Sequence, residues 1–214
     1  KQMEWSDEGV EGSFRIINKI IALKDKVAGK LNEMDESKIN STIKKVSDNI
    51  ESFEYPKAII PIIELVNYFS EKKEIAKEGY EVILKIFSVF CPHIAEELWH
   101  KIGNKNFVSL ESWPKYDEKK INLKLEEEEK QIEKTIEDIR NIFRIIKDKQ
   151  GKESSRVYLY VIPKELSLYK DAKDKLEKNL NVQVEIYAVN DSKKHDPENK
   201  ASRAKPQKPA VFVE

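Results

Sequence analysis

The chain has 214 residues, of which 36% are charged and 39% hydrophobic, with 39 basic and 39 acidic side chains. That length suits one or two domains, and the apolar share is enough for a packed core, which excludes disorder throughout. The longest uncharged run outside the tail, the ten residues Ile86 to Ala95, is too short to cross a bilayer; Lys1 to Glu11 is too acidic for a secretory leader; and the single cysteine, Cys91, excludes an internal disulfide or a multi-cysteine metal site. An intracellular, cytoplasmic location is expected.

In chain order, apolar residues first recur at steps of three and four, the period of an amphipathic helix. Phe14, Ile17 and Ile21 share one face, and Ile16, Ile20, Leu23, Val27 and Leu31 share the next, which predicts a helix of about five turns ending near Gly29 and Asn32. Asp35 or Ser37 is the expected cap of a second helix carrying Ile39, Ile43, Val46, Ile50 and Phe53. Tyr55 and Pro56 open a third, apolar around much of its circumference from Lys57 to Phe69, with Pro61 near its first turn. Ile75 to Phe90 reads as a further buried helix. Cys91, Pro92 and His93 interrupt it, and Ile94, Ala95, Leu98, Trp99 and Ile102 continue on one face to a glycine stop at Gly103, before a loop through Ser112, Trp113 and Pro114.

The pattern changes near Asn122. Ile132, Ile136, Ile139, Phe143 and Ile146 are spaced four, three, four, three on a long helix, whose acidic start (Glu126 to Glu129) and basic end (Lys147, Lys149, Lys152) complement its dipole. After Gly151 the period becomes two. Val157, Leu159 and Val161 alternate with Tyr158, Tyr160 and Ile162 in one strand, and Val182 to Val189 alternates in another. A short helix is expected between them, Leu166 to Leu180, giving a β-α-β unit, and Pro209 to Glu214 reads as a third strand. Asn190 to Gln207 is a polar loop, too polar to make a core. The expected fold is mainly α: a helix bundle over residues 1–121, then a long helix and a small α/β domain over 122–214.

Little in the chain points to catalysis. Cys91, His93 and His100 form the tightest group of metal-ligand types, but the two histidines are seven residues apart, about 10 Å along a helix, too far to share an ion unaided. Neighbouring glutamates such as Glu96 and Glu97 diverge by about 100° on a helix and make no acid–base pair. There is no GxGxxG, GxxxxGK[ST] or HExxH. Neither catalytic nor metal-binding residues are expected, and no cofactor. The zero net charge, however, is uneven: Lys193 to Lys208 holds six cations against Asp196 and Glu198, an excess of four. Such a flexible basic segment suits phosphates.

The stretch Pro92 to Trp99, PHIAEELW, with an apolar helix before it, Gly103 after it and Trp113-Pro114 downstream, resembles the helical anticodon-binding domain of class I aminoacyl-tRNA synthetases serving leucine, isoleucine, valine and methionine. Glu4 to Arg15, EWSDEGVEGSFR, resembles the opening of that domain just after the KMSKS loop and favours the leucine enzyme. Glu64-Leu65-Val66-Asn67 is similar to a MELVN-like run, with Ile62 and Ile63 before the glutamate. The ending, Asp196-Pro197-Glu198-Asn199-Lys200, Arg203-Ala204-Lys205-Pro206 and Lys208 to Glu214, resembles the terminus of archaeal and eukaryotic-type leucyl-tRNA synthetases.

The resemblance implies a class I anticodon-binding-type bundle and a C-terminal tRNA-binding domain. The parent enzyme would join leucine to tRNA(Leu) with ATP and magnesium in domains this chain lacks. This part would be a non-catalytic monomer that holds the tRNA core and long variable arm, partnered by the rest of the synthetase. Within that reading Lys200, Arg203, Lys205 and Lys208 are phosphate-contact candidates, as are Arg15 and Lys19, one turn apart on the first helix. Phe212 and Glu214 are candidates for exposed bases. Phe212 also fits the inner face of the third strand. The alternative is a helical protein-interaction module using the heptad-like seam of Ile132 to Ile146.

Overall fold

The computed structural model describes residues 6–150 and 155–214, with the backbone alone at 149 and 150. Glu4 and Trp5 of the opening motif, Lys152 of the basic helix end and the side chain of Lys149 lie outside the described residues. The chain divides into two compact units, Lys1–Leu123 and Lys124–Glu214.

Ser6 starts the first unit by accepting the backbone N–H of Gly9 at 3.1 Å, with Asp7 and Glu8 in the positive first turn of α1 (Asp7–Leu23). The helix stops at Leu23, short of the expected end, because Val27–Gly29 (β1) pairs in parallel with Ile75–Ala76 (β2). A Cβ on Gly29 would lie 3.3 Å from the backbone of Glu74 and Ile75, so the close strand approach favours glycine there. The turn between α1 and β1 is fixed by Lys26, whose Nζ donates to the carbonyls of Ser70 at 2.6 Å and Lys72 at 2.9 Å.

The cap of α2 (Glu33–Glu51) is Asn32, not Asp35 or Ser37. Asn32 Oδ1 accepts from the Asp35 N–H at 2.9 Å, and Asp35 returns a bond from the Asn32 N–H at 3.1 Å, a reciprocal capping box. Asp35, only 3% exposed, also accepts from the Tyr68 hydroxyl at 2.8 Å and from Lys72. Ser37 instead accepts from the Asn122 N–H at 2.8 Å. Ile39, Ile43 and Val46 are buried as their spacing requires, but Phe53 falls beyond the helix, left-handed at φ 57° and 79% exposed.

In α3 (Tyr55–Glu71) Ala58, Pro61, Ile62, Leu65, Val66 and Phe69 are buried, while Ile59 and Ile60 face out. The expected helix from Ile75 is shortened at both ends, since Ile75 and Ala76 form β2 and α4 covers Lys77–Phe87. Tyr80 is fully buried and donates to the Ile20 carbonyl at 2.9 Å, joining α4 to α1. Pro92 opens α5 (Pro92–Lys101), and the chain turns at Gly103 with φ 92°. The return segment is pinned at several points. Glu96 accepts from the N–H groups of Val108 and Ser109, Trp113 Nε1 donates to Ser47 Oγ at 2.8 Å, and Asn40 accepts from the Asp117 N–H at 2.7 Å.

In the second unit, α6 (Leu123–Gln150) packs Ile132, Ile136 and Ile139, none more than 4% exposed, against one face of a three-stranded sheet. Strands β3 (Arg156–Val161) and β4 (Gln183–Ala188) are parallel, and β5 (Ala210–Val213) is antiparallel to β3, in the order β4-β3-β5. Val157, Leu159 and Val161 face α6; Tyr158 and Tyr160 face the opposite side. The connection is two short helices, α7 (Leu166–Asp171) and α8 (Lys173–Leu180), broken at Ala172, where one was expected. Tyr169 of α7 is fully buried, its hydroxyl 2.9 Å from Oγ1 of the buried Thr135 of α6, so both hydroxyls are satisfied.

The polar stretch between β4 and β5 is not a free tail. It folds over the tyrosine face of the sheet: Ala201 is 3% exposed and packs with Tyr158, Tyr160, Ala210 and Phe212. Asp196 accepts from the N–H groups of Lys200 at 2.7 Å and Ala201 at 3.0 Å, which fixes the 3₁₀ turn Lys200–Arg203. Small residues and backbone bonds supply what apolar side chains do not.

Candidate nucleic-acid interface

The second unit gathers the cationic candidates. From the 3₁₀ turn, Lys200 and Arg203 reach a groove of about 360 Å³, and Lys208 reaches it from the turn before β5. Ile142 and Ile146 of α6 and Val211 and Val213 of β5 supply its apolar lining, and the lining contains no carboxylate. Lys200 is partly engaged elsewhere, 3.0 Å from Glu198 and 5.1 Å above the Phe212 ring centroid. Arg203, Lys205 and Lys208 are exposed, with no acidic partner among the described residues.

Lys205 and Lys208 also face each other. They form an antiparallel bridge, each N–H donating to the other's carbonyl at 2.9 Å, around Pro206 and the left-handed Gln207, φ 58°. A proline followed by a positive-φ residue is the type II turn pattern. The pairing sets two exposed cationic side chains on one short hairpin, and like charges directly opposite on paired backbone repel. Pro206 was the signal of the turn in the sequence. The four-three spacing assigns Ile146 to the seam and leaves Ile142 without a role. Instead the buried seam ends at Ile139, with Phe143 half-buried, and Ile146 turns to the groove.

The two base-contact candidates are placed differently from a presented pair. Phe212 is 7% exposed, stacked on Tyr158 with ring centroids 5.8 Å apart, because the alternation of β5 turns it inward with Ala210. Glu214 accepts from His195 Nε2 at 2.9 Å and from the Tyr158 hydroxyl at 3.1 Å, closing the sheet edge, and the His195 bond holds its carboxyl below the usual glutamate range. Arg15 and Lys19 belong to the first unit. Arg15 is exposed and without an acidic partner among the described residues, whereas Lys19 donates to Asn67 Oδ1 at 2.7 Å.

Elsewhere the chemistry is quiet. Burial pushes the Cys91 thiol up, which disfavours the nucleophilic thiolate. Among the described residues no group of three or more His, Cys, Asp or Glu is placed to hold a metal ion, and no helix is long and apolar enough to cross a membrane.

The chain thus sets a helical unit before a small α/β unit that carries a cationic groove. Residues 36–186, about seven-tenths of the chain, match the family model described as the anticodon-binding domain of tRNA ligase, and the chain belongs to that family. Among curated proteins it is similar to leucine–tRNA ligases of Rickettsia bellii, 38% identical over 135 residues, and of Syntrophobacter fumaroxidans, 36% over 147. The one from Crocosphaera subtropica is 33% identical over 134 residues. These matches cover 58%, 56% and 55% of this chain, but the chain spans only 16%, 18% and 16% of those proteins. A solved ternary complex of Agrobacterium radiobacter K84 agnB2 LeuRS with tRNA and LeuAMS aligns with a TM-score of 0.48 at 22% identity, covering 56% of this chain and 18% of that one.

Proposed function

We propose that this chain is the tRNA-holding part of a leucine–tRNA ligase, gripping tRNA(Leu) at its core and long variable arm while catalytic domains elsewhere in the polypeptide join leucine to it using ATP and magnesium. The observation that carries the reading is the family membership of residues 36–186, together with the three relatives above, each a leucine–tRNA ligase. The cationic groove supports it, because Lys200, Arg203 and Lys208 stand together with Lys205 opposed to Lys208. Arg15 and Lys19 are the corresponding candidates in the first unit. The rest of the synthetase chain is the second partner. The working form is a cytoplasmic monomer.

The ending from Asp196 to Glu214 supports an archaeal or eukaryotic-type tail; the relatives named above are bacterial, so that type rests on the tail residues alone. The alternative of a coiled-coil-like interaction module is disfavoured by the seam itself. Ile132, Ile136 and Ile139 are already buried with residues of their own sheet, which occupies the greater part of the seam.

Binding of tRNA(Leu) with and without its long variable arm, over a salt series, tests the proposal. With about four phosphates neutralised, log affinity falls against log salt with a slope of about −3 to −4, and removing the arm weakens binding. Affinity indifferent to both salt and the arm would reject it.

A further inference from the structure

The groove between α6 and β5 is lined by two kinds of surface, and phosphate contact accounts for only one. Lys200, Arg203 and Lys208 share its lining with Ile142 and Ile146, one helical turn apart and outside the apolar cluster that Ile132, Ile136 and Ile139 build with the sheet. Opposite them are Val211 and Val213, the α6-facing side chains of β5. A sugar–phosphate ridge seated here would press hydrated oxygens onto isoleucine and valine, at a desolvation cost with no returning hydrogen bond. A flat apolar group attached to a phosphate fits both surfaces.

We propose that this groove takes one splayed-out nucleotide of a bound RNA, its base against Ile142, Ile146, Val211 and Val213 and its flanking phosphates on Arg203, Lys208 and Lys200. Charge selects an anion: Arg203 and Lys208 have no acidic partner among the described residues, Lys200 is shared with Glu198, and no carboxylate lines the groove. Size admits a single unit: the groove's 360 Å³ falls within the roughly 300–1,000 Å³ of small-ligand sites. Recognition of unpaired RNA commonly joins a cationic track for the backbone with a surface on which a base lies flat, and here aliphatic side chains supply that surface. The opposed Lys205 and Lys208 add a reason for the next phosphate to lie at the hairpin. The inference rests on the tRNA-binding reading for its RNA but makes a separate claim about one site.

The test uses the full chain with labelled isoleucine and valine methyl groups, followed by NMR. Adenosine 5′-monophosphate should shift the methyl signals of Ile142, Ile146, Val211 and Val213, and ribose 5-phosphate should leave them in place. In parallel, Ile142→Ser with Ile146→Ser should weaken a single-stranded oligoribonucleotide about fivefold while leaving a fully paired RNA hairpin unchanged, because the substitutions remove apolar contact and no charge. Groove methyls that ignore the mononucleotide, or respond equally to the sugar phosphate, overturn the pocket even when tRNA binds well. Equal weakening of single-stranded and paired RNA overturns it too. Loss of all tRNA binding at low salt in the unsubstituted chain would instead strike the parent reading, and the mononucleotide titration keeps the two failures apart.

Discussion

Replacing Phe212 by alanine separates a packed ring from a presented one. The side chain is 7% exposed, stacks on Tyr158 at 5.8 Å and lies under the Lys200 ammonium. Core Phe→Ala changes cost about 3–5 kcal/mol, and the aromatic stack adds about 0.5–1.5 kcal/mol beyond area burial. The cover over this sheet face is a thin layer centred on Ala201 that can settle into the void, which places the expected loss near 3 kcal/mol. The two units can be followed separately, because Trp5, Trp99 and Trp113 all precede Lys124. Urea unfolding by tryptophan fluorescence should therefore be unchanged, while amide exchange at Tyr158 and Tyr160 in β3 should quicken by about two orders of magnitude. Unaltered exchange in β3 together with a loss of tRNA affinity would refute the packing argument and return Phe212 to the surface as a base contact.

Three further outcomes follow from the same geometry. Asp35→Ala leaves Lys72 and Tyr68 without their shared acceptor and opens the capping box of α2. Because Lys72 keeps some solvent access, a loss of about 3 kcal/mol is expected by tryptophan-monitored urea unfolding, and less than 1 kcal/mol would contradict the hub role. Alkaline pH should destabilise both units. Burial pushes the hydroxyls of Tyr80 and Tyr160 well above the ordinary value, and the bond to Glu185 pushes Tyr187 up to about 12. An unfolded tyrosine ionises near pH 10 while the folded one stays neutral, so stability is intact below about pH 10 and falls by up to about 1.4 kcal/mol per pH unit per tyrosine as pH rises toward the folded values. Denaturant midpoints at pH 9 and 11 check this, and Tyr187→Phe should flatten the slope in the second unit. Finally, His195→Ala should raise the Glu214 carboxyl toward its ordinary value. Folded Glu214 thus supports stability above the unfolded carboxylate pKa and loses that contribution as pH falls through its lowered one, which a carboxyl-resolved NMR titration of both chains detects.

Much of the fold was legible because long elements repeat their period. The seam of α6, the apolar face of α2 and the alternation of β3 and β4 each recur often enough to fix type and face. Short pairings escaped. Val27 also fits a helical face, and nothing local shows that β1 will meet β2 some fifty residues on, except Gly29, which admits the close approach. The cover over Tyr158 and Tyr160 was illegible for a related reason: it is built from Ala201, backbone bonds to Asp196 and the Tyr160 hydroxyl on the His195 carbonyl, none of which raises a hydrophobic signal. At the candidate site the charge cluster announced itself in the sequence, but the apolar lining did not. Ile142 and Ile146 are four apart like any core pair, and only the placement of β5 shows that they line a groove.

The most direct measurement is the salt dependence of tRNA(Leu) binding in the intact chain against the double variant Arg203→Gln, Lys208→Gln. Both side chains are exposed and without an acidic partner among the described residues, so folding should be untouched. The account predicts weaker binding at every salt concentration and a log–log slope shallower by about 1.5 to 2, the share of two released counterions. An unchanged slope and affinity would contradict a tRNA grip at this cationic groove.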